Sequence, residues 1–176
     1  GQHHPIEKFA DGWIVADNDF LGCPGPHRLA VYRMLGRQPR AIEFRGGLRA
    51  NAFTDSDAWF ISRLRIAKSG LWFACDRPQA IRHLERVAAL LAGEFSREKL
   101  RCYVLAGYDP AETPDQVNDR CRAVYDLGFL PFVQLYRAPA EKTRRRWPDE
   151  WGPVCNRWSR PAASKAYVRT QEVARP

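Results

Sequence analysis

The stretch Trp13-Ile14-Val15-Ala16-Asp17-Asn18-Asp19-Phe20-Leu21 decides the fold. Four apolar residues after Gly12 are too few for a helix, and they stop where an acidic cluster begins, so they read as a short buried strand. The chain repeats this design. Ile42-Glu43-Phe44 runs into Arg45-Gly46-Gly47, Leu71-Trp72-Phe73-Ala74 into Cys75-Asp76-Arg77, Tyr103-Val104-Leu105-Ala106 into Gly107-Tyr108-Asp109, and Phe132-Val133-Gln134-Leu135 into Tyr136-Arg137. With Trp13, Ala41, Leu71, Arg101 and Pro131 as starts, the spacings are 28, 30, 30 and 30 residues. A strand followed by a helix-length segment at such a period is the βα repeat, which builds a parallel sheet with crossover helices. All strands of that sheet end on one rim. Ligands of parallel α/β folds sit at the carboxyl ends of the strands, so the polar clusters just quoted are the candidate site.

The segments behind the strands carry helix signals. His27 to Leu35 has Leu29, Val31, Tyr32 and Leu35 as apolar positions and is closed by Gly36. Thr54 with Asp57 marks a helix start, and Trp59, Phe60, Ile61 and Leu64 supply its apolar face. Pro78 opens a helix with Ile81, Leu84, Val87, Ala88 and Leu91 at helical period. Thr113 is the expected cap and Pro114 the first residue of a helix that closes on Gly128. Pro131, near the start of the fifth strand, suits a sheet edge. Beyond residue 137 the pattern changes: a loop rich in Pro and Arg leads to two short helical stretches, near Glu150 to Trp158 and Ala162 to Arg169.

A chain of 176 residues with 45% hydrophobic content can bury one core. No apolar run approaches a membrane span, and Gly1-Gln2-His3-His4-Pro5 lacks the basic start and apolar core of a secretion signal, so the expected location is cytoplasmic, without a membrane partner. Position 1 is not Met, and the chain reads as a piece of a longer protein. Cysteines 23, 75, 102, 121 and 155 contain no closely spaced pair, so no metal motif is legible and reduced thiols are expected. The net charge of +8 suits an anionic partner. Lys142, Arg144, Arg145 and Arg146, with Trp147, Trp151 and Trp158 downstream, either hold nucleic-acid phosphates and stack bases, or form a solvated turn before a helix that packs its tryptophans. Gly46 and Gly47 either let backbone amides approach a ligand or make a tight turn. No Ser-His-Asp set, P-loop or dinucleotide fingerprint is present.

The segments Ile14-Val15-Ala16-Asp17-Asn18-Asp19-Phe20, Glu43-Phe44-Arg45-Gly46-Gly47-Leu48-Arg49, Phe73-Ala74-Cys75-Asp76, Tyr103-Val104-Leu105-Ala106-Gly107-Tyr108 and Gly128-Phe129-Leu130-Pro131-Phe132 together are similar to the later part of radical S-adenosylmethionine (radical SAM) enzymes, over about residues 10 to 137. The resemblance implies, for residues 1–137, an α/β fold in the form of a partial (βα) TIM-type barrel of about five parallel strands; the change of pattern after it makes residues 138–176 a basic, Trp-containing C-terminal helical extension. In that family a 4Fe-4S cluster, bound by a Cys-x3-Cys-x2-Cys loop after the first strand, cleaves S-adenosylmethionine to a 5′-deoxyadenosyl radical that takes hydrogen from the substrate. This chain has no such loop. Asp17-Asn18-Asp19 matches the position after the family's second strand, so the cluster-binding segment is expected directly before Gly1, leaving the strand Trp13 to Ala16 at an open edge.

The resemblance also implies roles. Asp17, Asn18 and Asp19 fall where the family binds the methionine amino group; Asp76 falls where it contacts the ribose or the methionine carboxylate. Gly107, with Leu105 and Ala106, matches the strand that lies against the adenine, and Tyr136 and Arg137 fall near the substrate or the adenine edge. Arg45 and Arg49, with Gly46 and Gly47, line the rim between, toward the methionine carboxylate or a substrate anion. Alternation along an extended chain sends Asp17 and Asp19 to one side and Asn18 to the other, and Arg45 is the expected partner of an interior carboxylate when no ligand is bound. The substrate is not named by the resemblance. The competing reading is a non-catalytic nucleic-acid-binding or interaction module on a degenerate barrel, using the basic tail.

Overall fold

Each of two helices begins where a side chain takes up the free amides of the first turn. The Thr54 hydroxyl accepts from the Asp57 N–H while the Asp57 carboxylate accepts from the Thr54 N–H, and Thr113 with Gln116 repeats the arrangement. Pro114 occupies the first position of its helix, where a missing N–H costs nothing. The computed structural model describes residues 9–137 and 148–173. Its strands are β1 (Ile14–Val15), β2 (Ile42–Arg49), β3 (Ile66–Ala74), β4 (Leu100–Ala106) and β5 (Leu130–Leu135). Its helices are α1 (Gly25–Gly36), α2 (Asp55–Ser62), α3 (Ile81–Leu90), α4 (Pro114–Asp126), α5 (Trp151–Trp158) and α6 (Pro161–Val173).

The architecture is α/β, with all five strands parallel in the order β1-β2-β3-β4-β5. Crossovers between successive parallel strands are right-handed almost without exception, which places the connecting helices on one face. Burial follows: Leu100, Cys102, Val104 and Ala106 are buried against that layer, while Tyr103 and Leu105 on the opposite face are half-buried. Phe44, Leu71, Phe73, Leu84, Val117 and Phe129 form the core between sheet and helices. The sheet is open. Among the described residues β1 and β5 are its edges, and Pro131 stands on the β5 edge strand, where a missing N–H is tolerated.

The C-terminal helices complete this layer. The Trp158 ring is fully buried beside Tyr125 and Tyr167, and its Nε1–H donates to Asn118 Oδ1 of α4 at 3.0 Å. Trp151 is buried as well. Of the two readings of these tryptophans, packing against the scaffold is the observed one, and neither ring is available to stack a base. Lys142, Arg144, Arg145, Arg146 and Trp147 lie outside the described residues, as do His3 and His4. No described helix is long and apolar enough to cross a membrane.

Three local expectations are corrected. The first strand is two residues long, and Asp17 and Asn18 are exposed in the turn that follows, so strand alternation does not govern the acidic cluster. The segment from Arg45 to Arg49 is part of β2 rather than a loop beyond it. Register shifts against β3 between Ile42, Phe44 and Leu48 absorb the glycine pair within the strand. For the same reason β3 starts at Ile66, before Gly70 rather than after it.

Candidate functional site

At the end of β1 the chain folds back on itself. Asp17 Oδ1 accepts from the Asp19 N–H at 2.7 Å, and its Oδ2 lies 3.8 Å from the Cys23 thiol, which donates to it. Burial, and then the negative charge of Asp17 and Asp19, push the Cys23 thiol pKa up, so it stays protonated. Asp19 Oδ1 pairs with Arg49 Nε at 2.6 Å. Gly46 lies directly beneath this turn, because a Cβ there would overlap the Asp17 carbonyl oxygen. Asp17, Asn18, Asp19, Gly46 and Arg49 are thus one cluster. Arg45 does not join them: its Nε pairs with Glu43 Oε2 at 2.6 Å on the same strand. Side chains two apart on a strand share a face, and that proximity outcompetes the acidic turn, where Arg49 takes the place expected of Arg45.

The open face of the sheet is graded in size. Trp72 and Tyr103 stack with centroids 4.4 Å apart, and Phe132 packs edge-on against both. Arg101, only 4% exposed, lays its guanidinium 4.8 Å above the Trp72 ring. Next to this aromatic floor the side chains shrink. A Cβ on Gly47 would meet the Tyr103 ring at 3.5 Å and the Ala74 Cβ at 3.9 Å, so Gly47 and Ala74 leave a shelf beside Tyr103.

At the ends of β3 and β4, Asp76 stands between two cavities. One, of about 940 Å³, is walled by Asp76, Arg77, Tyr108, Glu112 and Arg120; the other, of about 300 Å³, by Arg49, Asn51, Asp76, Arg77 and His83. Asp76 keeps contact with solvent at the rim, yet the protein around it desolvates the carboxylate and raises its pKa against the opposing pull of Arg120 and Arg77. The Gly107 N–H donates to Glu112 Oε2 at 2.8 Å. Tyr136 packs edge-on against Tyr108 at 4.9 Å, and Arg77 lies 5.6 Å over the Tyr108 ring. The expected rim residues therefore fall into a β1–β2 cluster and a β3–β4–β5 cluster, with Arg49 and Asp76 sharing the smaller cavity between them.

Glu112, Arg120 and the Trp72–Tyr103–Phe132 floor were not legible as site residues. One signal existed for Arg120, which occupies a position on the apolar stripe of α4 together with Val117, Cys121 and Val124. A cation on such a stripe must find a buried partner.

The donor set fits one implied group and not the other. An exposed carboxylate at Asp17, the Arg49 guanidinium and the partly desolvated Asp76 match an ammonium, a carboxylate and sugar hydroxyls respectively. An iron–sulfur cluster needs converging thiolates. Cys75, Cys102 and Cys121 are buried in the core, with burial pushing the Cys75 pKa up to about 12 and the other two upward as well. Cys23 and Cys155 stand on other elements, and among the described residues no three His, Cys, Asp or Glu are grouped to hold a metal ion. In comparisons with protein families, curated proteins and solved structures, nothing matches the chain.

Proposed function

We propose that the chain is the S-adenosylmethionine- and substrate-holding portion of a radical SAM enzyme, its open parallel sheet forming part of a partial TIM-type barrel. The cluster is held by a segment other than these residues. The observation that carries the reading is the placement of Asp17, Asp19, Arg49, Asp76 and Gly107 along the carboxyl ends of the strands of one parallel sheet, with Arg49 and Asp76 lining the cavity between the two clusters. When bound, S-adenosylmethionine supplies the adenosyl group for radical hydrogen abstraction from a substrate.

Each residue then has a task. Asp17, exposed and tied only to local donors, accepts from the methionine ammonium, with Asn18 beside it. Arg49, paired with Asp19, turns part of its fork to the methionine carboxylate. Asp76 accepts from the ribose hydroxyls. The adenine lies against the backbone from Leu105 to Gly107, with Tyr136 at its edge. Gly46 keeps the acidic turn seated on β2, and Arg45, paired to Glu43, faces the substrate side.

Calorimetric titration with S-adenosylhomocysteine, which keeps the amino-acid, ribose and adenine parts, tests the assignment. The parent chain should bind saturably, and Asp17→Ala, which removes the ammonium's acceptor, and Asp19→Ala, which removes the carboxylate that positions Arg49, should each weaken binding by about 1 to 3 kcal/mol. A parent that does not bind, or two variants within about twofold of it, would remove the site.

A further inference from the structure

Arg120 is a cation on the inward stripe of α4, 5% exposed. A buried guanidinium is costly unless it is paired and its donors are used. Its Nη1 donates to Glu112 Oε1 at 2.6 Å, and its Nη2 donates to the Leu105 carbonyl at 2.5 Å. The second Glu112 oxygen accepts from the Gly107 N–H. One ion pair therefore grips the end of β4 from both sides: a carbonyl before the strand ends and the first amide after it. Gly107 itself sits at φ +70°, a conformation that frees the turn from side-chain constraint; the Tyr136 N–H holds the Ala106 carbonyl of the same peptide at 2.8 Å, and Glu112 is the acceptor that holds its N–H. Stability alone does not call for such a pair, since a well-packed apolar residue at a buried ion-pair position is often neutral or better.

We propose that Arg120 and Glu112 are positioning residues for the nucleobase half of the site. They act through the backbone, holding the Leu105–Gly107 peptides in the one arrangement that receives the flat ring. This rests on the S-adenosyl reading of the site. Without the clamp the Gly107 amide loses its acceptor, the backbone beyond the Ala106 carbonyl, which Tyr136 still holds, can rotate, and the ring meets a turn that must be ordered at binding.

Two ligands separate positioning from bulk structure. S-adenosylhomocysteine carries the adenine; S-ribosylhomocysteine has the same sugar and amino acid without it. Glu112→Ala should lower affinity for the first about tenfold and leave the second within about twofold, with faster hydrogen exchange at the Gly107 amide. Glu112→Gln, whose carbonyl can still accept from Gly107, should restore affinity to within about threefold. Arg120→Lys keeps the charge but cannot reach both acceptors, so it should show the same adenine-selective loss and serves if Glu112→Ala does not fold. A parent chain that binds neither ligand sinks the S-adenosyl reading and the proposal with it. A parent that binds, with Glu112→Ala and Arg120→Lys unchanged or weakened equally for both ligands, leaves that reading standing and overturns the clamp.

Discussion

Gly46 is the residue at which a single methyl group would undo the site. A Cβ there overlaps the Asp17 carbonyl and comes within 3.1 Å of the Asn18 nitrogen, contacts between backbones that no rotamer change relieves. Gly46→Ala should destabilise the chain by about 2 to 4 kcal/mol in urea unfolding, by lifting the acidic turn off β2. Gly12→Ala, where a Cβ meets nothing within 4 Å, should stay within about 0.5 kcal/mol of the parent. Asp76 gives a pH signature. Desolvation raises its folded-state pKa above the ordinary aspartate value, so its contribution to stability is full below that value and is lost as pH rises through the raised one. Asp76→Asn lacks this loss. Its urea midpoint should therefore gain on the parent's as pH rises from the ordinary aspartate pKa through the raised one, and a constant difference from acidic to neutral pH would mean that Asp76 is not desolvated in solution.

Elements are set by short-range chemistry at their ends and by long-range packing along their length. The start of α2 shows both at once. Asp57, 2% exposed, closes the capping box with Thr54 and also accepts from Arg28 Nη1 at 2.9 Å and from the Tyr32 hydroxyl at 2.9 Å. Thr54→Ala removes one cap and should cost about 1 kcal/mol. Asp57→Ala strands a guanidinium and a hydroxyl with it, and should cost about 3 to 5 kcal/mol in thermal or urea unfolding. Near-equal costs would show that Arg28 and Tyr32 find other acceptors. The cap was legible because Thr54 and Asp57 are three residues apart, as was Thr113 with Pro114. Arg28 and Tyr32 were not, because their link to Asp57 exists only once α1 and α2 are packed. The strands divide in the same way. Apolar runs at a steady period located all five and their order, but the bulges that carry β2 to Arg49 depend on what β3 offers opposite. Within the candidate site, Asp17, Asp19, Arg49 and Asp76 were readable as polar residues, and Gly107 as a turn residue, following apolar runs. Which carboxylate takes which arginine is a matter of tertiary distance.

At the scale of the whole molecule, the helices cover one face of the sheet and, among the described residues, leave the other face open, and the two edges are treated differently. β1 ends the sheet with two paired residues and with Ile14 41% exposed. β5 is backed by α5 and α6, and what fixes these helices is a small polar knot inside an aromatic cluster. Asn118 Oδ1 accepts from both Trp158 Nε1–H and Arg157 Nη1, the latter at 2.6 Å, while the Arg157 guanidinium lies 4.0 Å over the Tyr167 ring. Because Asn118 belongs to α4, the C-terminal helices share the core of the sheet rather than forming one of their own. Trp158→Ala should then cost about 3 to 5 kcal/mol of global stability, the penalty for a large cavity in a shared core. Asn118→Leu, which leaves Trp158 and Arg157 without their acceptor but fills the space, should cost about 1 to 3 kcal/mol. In both variants, helical circular dichroism and the fluorescence of the remaining tryptophans should be lost in one coincident transition. If instead the helices of residues 151–173 melt first and leave a folded sheet with the parent's midpoint, they are a separate appendage, and the knot at Asn118 holds only itself together.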